Sequence, residues 1–395
     1  MSTYIGIGRS HSDEPAIAGE ESVRAALHGI GDQTPDIIFV YATFGYDFPA
    51  LLRSIRAAGH GVPVVGGSTL GIITHDGPED EFHRVSVCVM KSDEFKMHPF
   101  VVQGLLGRSS AAGKEFADKL RATGVDDARG LFLFLDGLKA ADPDAFLREV
   151  DEVLPKGVPV FGGTASEPLL WKNTYQFFGD DVLEDAAVGV LFSGKVDIIV
   201  TSSHGSRDLG VIHEVTKAEG PRIYEIDGRP AIGLFTDLYG EEGREISAAT
   251  AAGVCLGVRT DDTSSNDQHI ELRVPLASED DGSIIMAAAW PAGTKIYLCQ
   301  RDPARILEQA KQAASSLVEQ RGGARPLVVF HADCVGRSID QIGRDAAVAE
   351  VRATIDAFPA DTPWFGAYVY GELAPVGGKS GFHNWTGAIA SFYSQ

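Results

Sequence analysis

The sequence predicts an α/β protein of two domains, in which a strand-helix-strand-strand unit occurs three times and the mixed sheets are mostly covered on both faces. Two observations support this fold class. The glycine-marked segment VPVVGGSTLG at residues 62–71 recurs as VPVFGGTASE at 158–167 and, more loosely, as PWFGAYVYGEL at 363–373. One apolar run precedes each copy, and another follows it. A period longer than that of solenoid repeats indicates duplicated α/β units.

The three units span residues 35–90, 129–194 and 326–393. Each begins with a nearly continuous apolar run, such as IIFVYA, which is typical of a parallel strand covered on both faces. An amphipathic helix follows, and Asp47 and Asp142 are placed to accept hydrogen bonds from free N–H groups at the starts of the first two helices. Because strand-helix-strand crossovers are right-handed, the first two strands of each unit are expected to be parallel.

Further elements are predicted around the three units. A change of character near Thr216 divides the chain into an N-terminal domain, residues 1–215, with two units, and a C-terminal domain, residues 216–395, with the third. The polar segment 261–268 has the composition of a disordered loop. In chain order the additional elements are a strand at 4–8, a helix at 18–27, a strand at 97–102, a helix at 111–122, a strand at 196–203, a β-rich segment at 253–298 and a helix at 304–320.

Composition excludes several classes of partner. A net charge of −21 and a pI near 4.9 argue against binding to nucleic acid or to an anionic membrane. No apolar run reaches the ~20 residues of a membrane-spanning helix, and the N-terminus lacks the basic and apolar regions of a signal peptide. The cysteines form no CxxC pair, which is consistent with a reducing compartment. We therefore expect a cytoplasmic protein that does not insert into a membrane.

Glycine and hydroxyl residues follow the second strand of the first two units. Ligands of open α/β sheets gather at the carboxyl ends of strands, and glycine lets a ligand approach the backbone closely. A tight turn or a bulge is the alternative explanation for the glycines. The candidate ligand-binding residues here are Gly67, Ser68 and Thr69 in the first unit and Gly163, Thr164 and Ser166 in the second.

The third unit adds charged candidates. Arg337 follows its first strand, and a guanidinium can hold a carboxylate or phosphate through two hydrogen bonds. Cys334 lies in the same segment, and Glu372, at the glycine-marked position, is a candidate for binding an amino group. The alternative is that both charged residues are ion-paired or solvated. These residues predict a pocket for a compact polar ligand between the two domains. Its expected lining is Ser68, Thr164, Arg337 and Glu372.

Several segments in combination resemble one family. The segments VPVVGGSTLG, VPVFGGTASE, VTKAEGPRIYEIDGRPAIGLF, FHADCVGR, YVYGELAPVGG and FHNWTG are similar to those of FIST proteins, which join a FIST N domain to a FIST C domain. The resemblance implies a sensory, ligand-binding module of bacterial or archaeal signal transduction, with a small ligand such as an amino acid. It also implies a separate output partner, such as a histidine kinase, a chemoreceptor or a cyclic-dinucleotide enzyme, because the two sensory domains account for the chain.

One branch of this family binds haem and senses nitric oxide, so haem is the alternative to a protein without a cofactor. Haem needs an axial ligand, most often His or Cys. The sequence has no CxxCH motif, so any haem would be bound noncovalently. The candidate ligands are His204, His331 and His383, which lie closest to predicted strand ends. The alternative is a hydrogen-bonded structural role, which is the more frequent one for a histidine beside an apolar strand.

An enzyme is the second alternative. GGSTLG has Leu70 where the nucleophile elbow of hydrolases requires glycine. The chain has neither a phosphate-binding loop of the GxxxxGK[ST] type nor an HExxH zinc motif. Asp136, Glu372 and His383 can act as acids or bases, but no spacing pairs them. We therefore expect a binding protein without a metal. A hydrolase or transferase would need a site that forms only in the folded chain.

Overall fold

A computed structural model describes residues 2–31, 33–139, 142–246, 253–259 and 270–395. These residues form a mixed α/β fold with three six-stranded sheets and one eight-stranded sheet. The α/β fold class with mixed, covered sheets is confirmed. The polar segment 261–268 lies outside the described residues.

Each repeat contains more than the predicted unit: one strand and one helix at its N-terminal end, and a two-stranded hairpin before its last strand. The first repeat consists of β1 (Thr3–Ser10), α1 (Pro15–Gly29), β2 (Ile37–Ala42), α2 (Phe48–Ala58), β3 (Val64–Ser68), β4 (Ile72–Thr74), β5 (Gly77–Glu79) and β6 (Val85–Ser92). The second consists of β7 (Phe95–Gln103), α3 (Ser109–Thr123), β8 (Ala128–Leu135), α4 (Pro143–Asp151), β9 (Val160–Thr164), β10 (Gln176–Phe178), β11 (Asp181–Leu183) and β12 (Ala186–Gly194).

The third repeat is interrupted after its first strand, β13 (Val196–Ser203). The interruption is the eight-stranded sheet with one helix: β14 (Ser206–Glu219), β15 (Arg222–Ile226), β16 (Arg229–Pro230), α5 (Gly233–Tyr239), β17 (Val254–Arg259), β18 (Ile270–Arg273), β19 (Pro275–Ser278), β20 (Ile284–Met286) and β21 (Lys295–Arg301). The repeat then resumes with α6 (Pro303–Gln320), β22 (Val328–Cys334), α7 (Ile339–Ile342), α8 (Arg344–Ile355), β23 (Trp364–Val369), β24 (Glu372–Val376), β25 (Lys379–His383) and β26 (Gly387–Ser394).

This interruption bears on the division into domains. Thr216, where the sequence placed the boundary, lies inside β14. The third repeat uses β13 from before the inserted sheet and α6 from after it. A division into domains of 1–215 and 216–395 stays a prediction.

The predicted crossovers are confirmed in all three repeats. β2 and β3, β8 and β9, and β22 and β23 are parallel pairs. The predicted helix caps are also present: the carboxylates of Asp47 and Asp142 accept hydrogen bonds from the backbone N–H groups of Ala50 (3.0 Å) and Ala145 (2.8 Å).

The repeats interlock by exchanging hairpins. The sheet of the first repeat, in the order β1-β6-β2-β3, is completed by the hairpin β10-β11 of the second. The sheet of the second, β7-β12-β8-β9, is completed by β24-β25 of the third, and that of the third, β13-β26-β22-β23, by β4-β5 of the first. The three sheets therefore form a closed cycle in which every repeat supplies strands to a neighbour.

The inner faces of these three sheets share one aromatic core. Phe39, Phe132 and Phe330 occupy equivalent positions in the first parallel strand of each repeat. Their ring centroids are 5.2 Å (Phe39 to Phe132), 5.1 Å (Phe39 to Phe330) and 5.8 Å (Phe132 to Phe330) apart. The outer face of each sheet packs against its own helices, α1 with α2, α3 with α4, and α6 with α8. Both faces are thus covered, which explains the near-continuous apolar runs.

Among the described residues, no helix has both the length and the apolar character needed to cross a membrane.

Candidate functional site

The strand-end residues predicted to bind a ligand meet where the three sheets interlock. Ser68, Thr164 and Tyr368 hold equivalent positions in the three repeats, and each donates its backbone N–H to a neighbouring repeat. The acceptors are the carbonyl oxygens of Tyr175 (2.8 Å), Gly371 (2.9 Å) and Gly71 (3.0 Å), respectively. We call this ring of equivalent strand ends, residues 68–71, 164–167 and 368–371, the hub.

Side chains of the hub are bonded to one another. The Ser68 hydroxyl donates to the Ser166 carbonyl (3.0 Å), and the Ser166 hydroxyl donates to the Tyr368 carbonyl (2.6 Å). The backbone N–H of Thr69 donates to the Ala42 carbonyl (3.0 Å). Ser68, Thr69, Thr164 and Ser166 are all buried. The strand ends do converge as expected, but internal hydrogen bonds occupy them.

The glycines next to the hub lie within sheets. Gly67 pairs with Gln176 on β10, and Gly163 pairs with Glu372 on β24. Their positions are therefore those at which one repeat accepts the hairpin of another. Ligand binding by these glycines and by the hub hydroxyls stays a prediction.

Arg337 lies in a buried ion-pair network. Its guanidinium pairs with Glu350 and with Asp333 (3.3 Å), and donates a hydrogen bond to the Ser203 carbonyl (2.9 Å). All three charged side chains are buried. Burial alone would lower the pKa of Arg337, but Glu350 and Asp333 outweigh it and raise that pKa. Burial likewise raises the pKa of Glu350, to about 8, although Arg337 opposes this shift. Arg337 is therefore ion-paired within the protein, which was the alternative to a ligand-binding role.

Glu372 is buried and accepts a hydrogen bond from the backbone N–H of Thr386 (3.1 Å). Burial raises the pKa of this carboxyl well above its usual range, and the nearby Asp333 adds to the shift. A carboxyl group in such surroundings favours its neutral form. Burial therefore weighs against a charged carboxylate at Glu372. Binding of an amino group by this residue stays a prediction.

The three candidate haem ligands are buried in separate places. His204 accepts a hydrogen bond from the Ser206 backbone N–H (3.0 Å), and His383 donates to the Ala374 carbonyl (3.1 Å). His331 packs edge-on against Trp364, and the two spaces that adjoin it measure about 10 Å³ each. A space of that size holds about one water molecule. The surroundings of His331 do not fit haem, and the haem alternative stays an untested prediction.

Two of these histidines make stability depend on pH. Burial lowers the pKa of His331 to about 3 and that of His383 to about 4, from 6.5. Below pH 6.5 each histidine is protonated in the unfolded chain. In the folded chain it stays neutral down to about pH 4 for His383 and about pH 3 for His331. Protonation thus favours unfolding, and the stability contributed by each histidine is lost as pH falls through this window.

We expect His383→Gln to flatten the loss of stability on acidification. Between pH 7.5 and 5.5, one such histidine changes the free energy of unfolding by about 1 kcal/mol. Glu350 acts with the opposite sign, because a carboxyl whose pKa is raised on folding destabilises as pH rises. The comparison must therefore be between variants, by urea unfolding at both pH values. His28→Gln, at an exposed position, is the control. Equal pH dependence in wild type and His383→Gln would contradict the assignment.

Beside the hub lies a cavity of about 270 Å³. Of the nine candidate ligand-binding residues, Cys334 alone lines it. The cavity is bounded by the second repeat, the third repeat and the inserted sheet. Its lining residues are Gly137, Leu169, Trp171, Val274, Leu276, Ala287, Arg301, Cys334, Val335, Gly336, Gln341, Tyr370, Phe382, Asn384 and Trp385.

Both departures from the internal repeat contribute to this cavity. The connection from the second parallel strand to the hairpin spans residues 69–71 in the first repeat and 370–371 in the third, but 165–175 in the second. This longer loop supplies Leu169 and Trp171 to the lining. The other departure, the inserted sheet, supplies Arg301 and three apolar residues.

Aromatic rings form one wall. Trp171 stacks on Tyr370, with ring centroids 4.9 Å apart and planes 9° from parallel. The hydroxyl of Tyr370 donates to Glu167, whose carboxylate also accepts the backbone N–H groups of Leu170 (2.9 Å) and Trp171 (2.8 Å). The side chain of Glu167 thus fixes both the loop and the ring on which Trp171 stacks.

The backbone around the cavity is strained. Leu169, Trp171 and Trp385 have positive φ angles of 59°, 54° and 55°. Bulky residues seldom adopt this left-handed conformation, which costs of order 1–3 kcal/mol and tends to occur at functional sites. Three such residues around one cavity indicate that its shape is maintained against a local cost.

Among the described residues of the lining, Arg301 is the one cationic side chain. It donates to the Gly336 carbonyl (2.6 Å), and its guanidinium lies 4.6 Å from the centroid of the Trp385 ring. The lining also carries the amides of Gln341 and Asn384, and the amide oxygen of Asn384 accepts a hydrogen bond from the Val274 backbone N–H of the inserted sheet (3.2 Å). The Asn384 side chain donates to the Tyr370 carbonyl (3.1 Å), which holds two parts of the third repeat together.

Sequence reasoning missed the residues that build this cavity. Tyr370 and Trp385 stand in YGEL and FHNWTG, which served only as family markers. Trp171 stands in the stretch by which the second unit exceeds the first, so that excess length was an available signal. Arg301 immediately precedes a helix cap, and nothing around it indicated a ligand site.

Two family models match the chain in succession. The FIST N domain matches residues 36–229, and the FIST C domain matches residues 231–375. The chain belongs to the FIST family. The resemblance stated from the sequence motifs is thereby confirmed, and the cavity is lined by residues from both matched regions and from the C-terminal segment beyond them.

Relatives of this FIST protein include uncharacterized proteins. One from Mycobacterium tuberculosis is 22% identical over 395 residues, which cover 98% of this chain and 99% of that protein. One from Methanocaldococcus jannaschii is 26% identical over 188 residues, which cover 45% of this chain and only 35% of that protein.

Solved structures with similar folds include a cyanuric acid hydrolase from A. caulinodans (10% identity, TM-score 0.39) and a chorismatase (8% identity, TM-score 0.35). Both alignments span the whole of this chain, and 100% and 98% of the respective structures. Likenesses at these TM-scores carry no inference about activity.

Proposed function

We propose that this FIST protein is a sensory protein of signal transduction that binds a small ligand in the cavity beside the hub. The observation that carries the proposal is that both departures from the internal repeat, the loop 165–175 and the inserted sheet, line the same cavity. Loops held on a rigid scaffold are where binding sites usually form. The family's association with sensory signal transduction supports the same function.

The lining has the character of a ligand site. Most of its residues are apolar or aromatic, and its polar groups are few: Arg301, Gln341 and Asn384. Small-molecule sites typically combine an apolar surface with a small number of polar groups that fix orientation. Trp171 and Leu276 are 54% and 45% exposed, so they form a rim through which a ligand enters.

Binding is favoured over catalysis at this cavity. None of its described lining residues is Asp, Glu or His, so these residues present no acid–base pair to the space. Cys334 is the one thiol among them, and burial raises the pKa of this thiol well above the ordinary value. Since the thiolate is the reactive form, this environment makes Cys334 a weak nucleophile.

The finer parts of the proposal follow the family. The ligand is a small polar or partly polar molecule such as an amino acid. The protein acts in the cytoplasm and passes its signal to a separate histidine kinase, chemoreceptor or cyclic-dinucleotide enzyme. Binding would reach such a partner through the loop 165–175, because Trp171 contacts the ligand space and Leu170 beside it is 61% exposed.

Thermal-shift screening of amino acids and small carboxylates tests the function. A ligand present at about 100 times its Kd adds about 2.7 kcal/mol to the free energy of unfolding. We expect Trp171→Ala to abolish the shift, since it removes one wall of the cavity. Phe82→Ala is the matched control, because Phe82 is equally exposed (56%) but lies outside the lining. A shift that survives unchanged in Trp171→Ala would place the ligand elsewhere.

A further inference from the structure

We infer that the cavity takes a small aromatic carboxylate without an ammonium group, with its carboxylate on Arg301 and its ring among Trp171, Tyr370 and Trp385. This inference rests on the proposed function and narrows it to a chemical class. It differs from an amino acid in the charge that the site must accept.

The described residues of the lining carry a cation and no anion. Arg301 is the one charged residue among them, since the others have apolar, aromatic, amide or thiol side chains or are glycine. Glu167, which lies behind Tyr370, already accepts hydrogen bonds from Leu170, Trp171 and the Tyr370 hydroxyl. A zwitterionic amino acid would therefore find a counter-charge for its carboxylate, but only the neutral Gln341 amide oxygen and the aromatic faces for its ammonium group. Burying an ammonium group without a counter-charge is costly.

Arg301, which is half-buried, differs from the two fully buried arginines nearby. Arg273 pairs with Asp144 (3.0 Å) and Glu271, and Arg337 pairs with Glu350 and Asp333. Arg301 has no salt bridge within the part of the chain that the structure describes. Burial lowers its pKa and Arg337 adds to this shift, although Cys334, Cys255 and Glu350 act in the opposite direction, whereas the pKa values of Arg273 and Arg337 are raised by their carboxylates.

Most donors of Arg301 have no partner among the described residues. A guanidinium has five N–H donors, and within this part of the chain that of Arg301 donates to the Gly336 carbonyl. Stacking on Trp385 fixes the plane of the group. A planar, oriented guanidinium is suited to binding a carboxylate through two parallel hydrogen bonds. A ligand carboxylate would supply the anion that the neighbouring arginines obtain from the protein.

The rest of the cavity is suited to one ring. A cavity of roughly 150 Å³ lined by apolar side chains can hold benzene. The volume of about 270 Å³ here therefore accommodates a single ring together with a carboxylate. The Trp171–Tyr370 stack and Trp385 offer flat faces, and aromatic rings gain energy from stacked or edge-on contacts beyond the area that they bury.

Isothermal titration calorimetry with three matched probes tests the class. Benzoate has the ring and the negative charge, benzamide has the same shape without charge, and L-phenylalanine adds the ammonium group. We expect benzoate to bind roughly 10-fold or more tightly than either, because hydrogen bonds to a charged group contribute more than neutral ones. Equal affinity for benzoate and benzamide would overturn the inference.

Substitutions at Arg301 provide the second arm. Arg301→Gln keeps an N–H donor but removes the charge, and we expect it to weaken benzoate binding roughly 10- to 100-fold. Arg301→Lys should lose less, because it keeps the charge. Arg222→Gln removes a half-buried arginine of the same inserted sheet, which is paired with Asp281 and lies outside the lining, and should leave binding unchanged. Benzoate binding that is equally strong in Arg301→Gln would also overturn the inference.

The outcomes separate this inference from the proposed function. If benzamide or phenylalanine binds as well as benzoate, and Trp171→Ala abolishes that binding, the cavity remains the ligand site and the carboxylate class is wrong. If no screened ligand binds in a manner sensitive to Trp171→Ala, the proposed function fails, and the ligand class fails with it.

Discussion

Replacing Arg337 by Met is expected to lower the free energy of unfolding by about 3 to 5 kcal/mol. The guanidinium pairs with both Glu350 and Asp333, and all three groups are buried. Met fills a similar volume but leaves two carboxyl groups without a counter-charge. Breaking a buried network by removing one partner costs far more than the network itself contributes.

Chemical denaturation of the purified variants measures this effect. Arg344→Met is the matched control, because Arg344 also pairs with a glutamate, Glu81 at 3.3 Å, but both side chains are exposed. Exposed pairs typically contribute less than about 1 kcal/mol. If Arg337→Met were no more destabilising than Arg344→Met, the buried network would have no structural importance, and Arg337 would again be available for a ligand.

A third variant separates charge from packing. Replacing Arg337, Glu350 and Asp333 together by apolar residues removes the uncompensated charges along with the pairs. Such replacements are often neutral or stabilising. We therefore expect the triple variant to recover much of the stability that Arg337→Met loses, although both variants lack the guanidinium of Arg337.

The parts of the fold that carry a strong sequence pattern could be predicted. Continuous apolar runs located the parallel strands β2, β8 and β22, and Asp47 and Asp142 located two helix starts, because each depends on local residues alone. The exchange of hairpins could not be predicted. β4 and β5 are three residues long, which is too short for a hydrophobic period, and their pairing with β23 is decided by contacts distant in sequence.

One expectation behind the candidate site is seen in the structure, and ligand binding by its residues stays a prediction. The strand ends carrying Ser68 and Thr164 do converge, as the topology of parallel strands requires. The sequence could not show that backbone carbonyl groups of neighbouring repeats accept hydrogen bonds from these strand ends. The cavity lies instead where Trp171 and Arg301 are brought together by two segments without counterparts in the other repeats. A comparison of repeats that sought their differences would have indicated the loop.

The recurring glycine of the repeat is explained by the close approach of the two parallel strands within each repeat. Gly66, Gly162 and Gly366 occupy equivalent positions in the three second strands. A Cβ atom on them would lie 1.8 Å from the Val40 carbonyl oxygen, 2.3 Å from that of Leu133 and 2.6 Å from that of His331, respectively. Each of these carbonyls belongs to the first parallel strand of the same repeat. Glycine is therefore required for the two parallel strands to approach, irrespective of any ligand.

Gly66→Ala is accordingly expected to destabilise the fold by about 4 kcal/mol or more, a loss at the upper end for single substitutions. Gly61→Ala is the control, because Gly61 also has a positive φ, 77°, but its Cβ would have open space. That variant should lose only the roughly 1–2 kcal/mol of left-handed strain. Thermal and urea unfolding of both variants give the comparison. Similar losses in the two variants would mean that backbone conformation, and not the contact with Val40, explains why glycine recurs in the second parallel strand of each repeat.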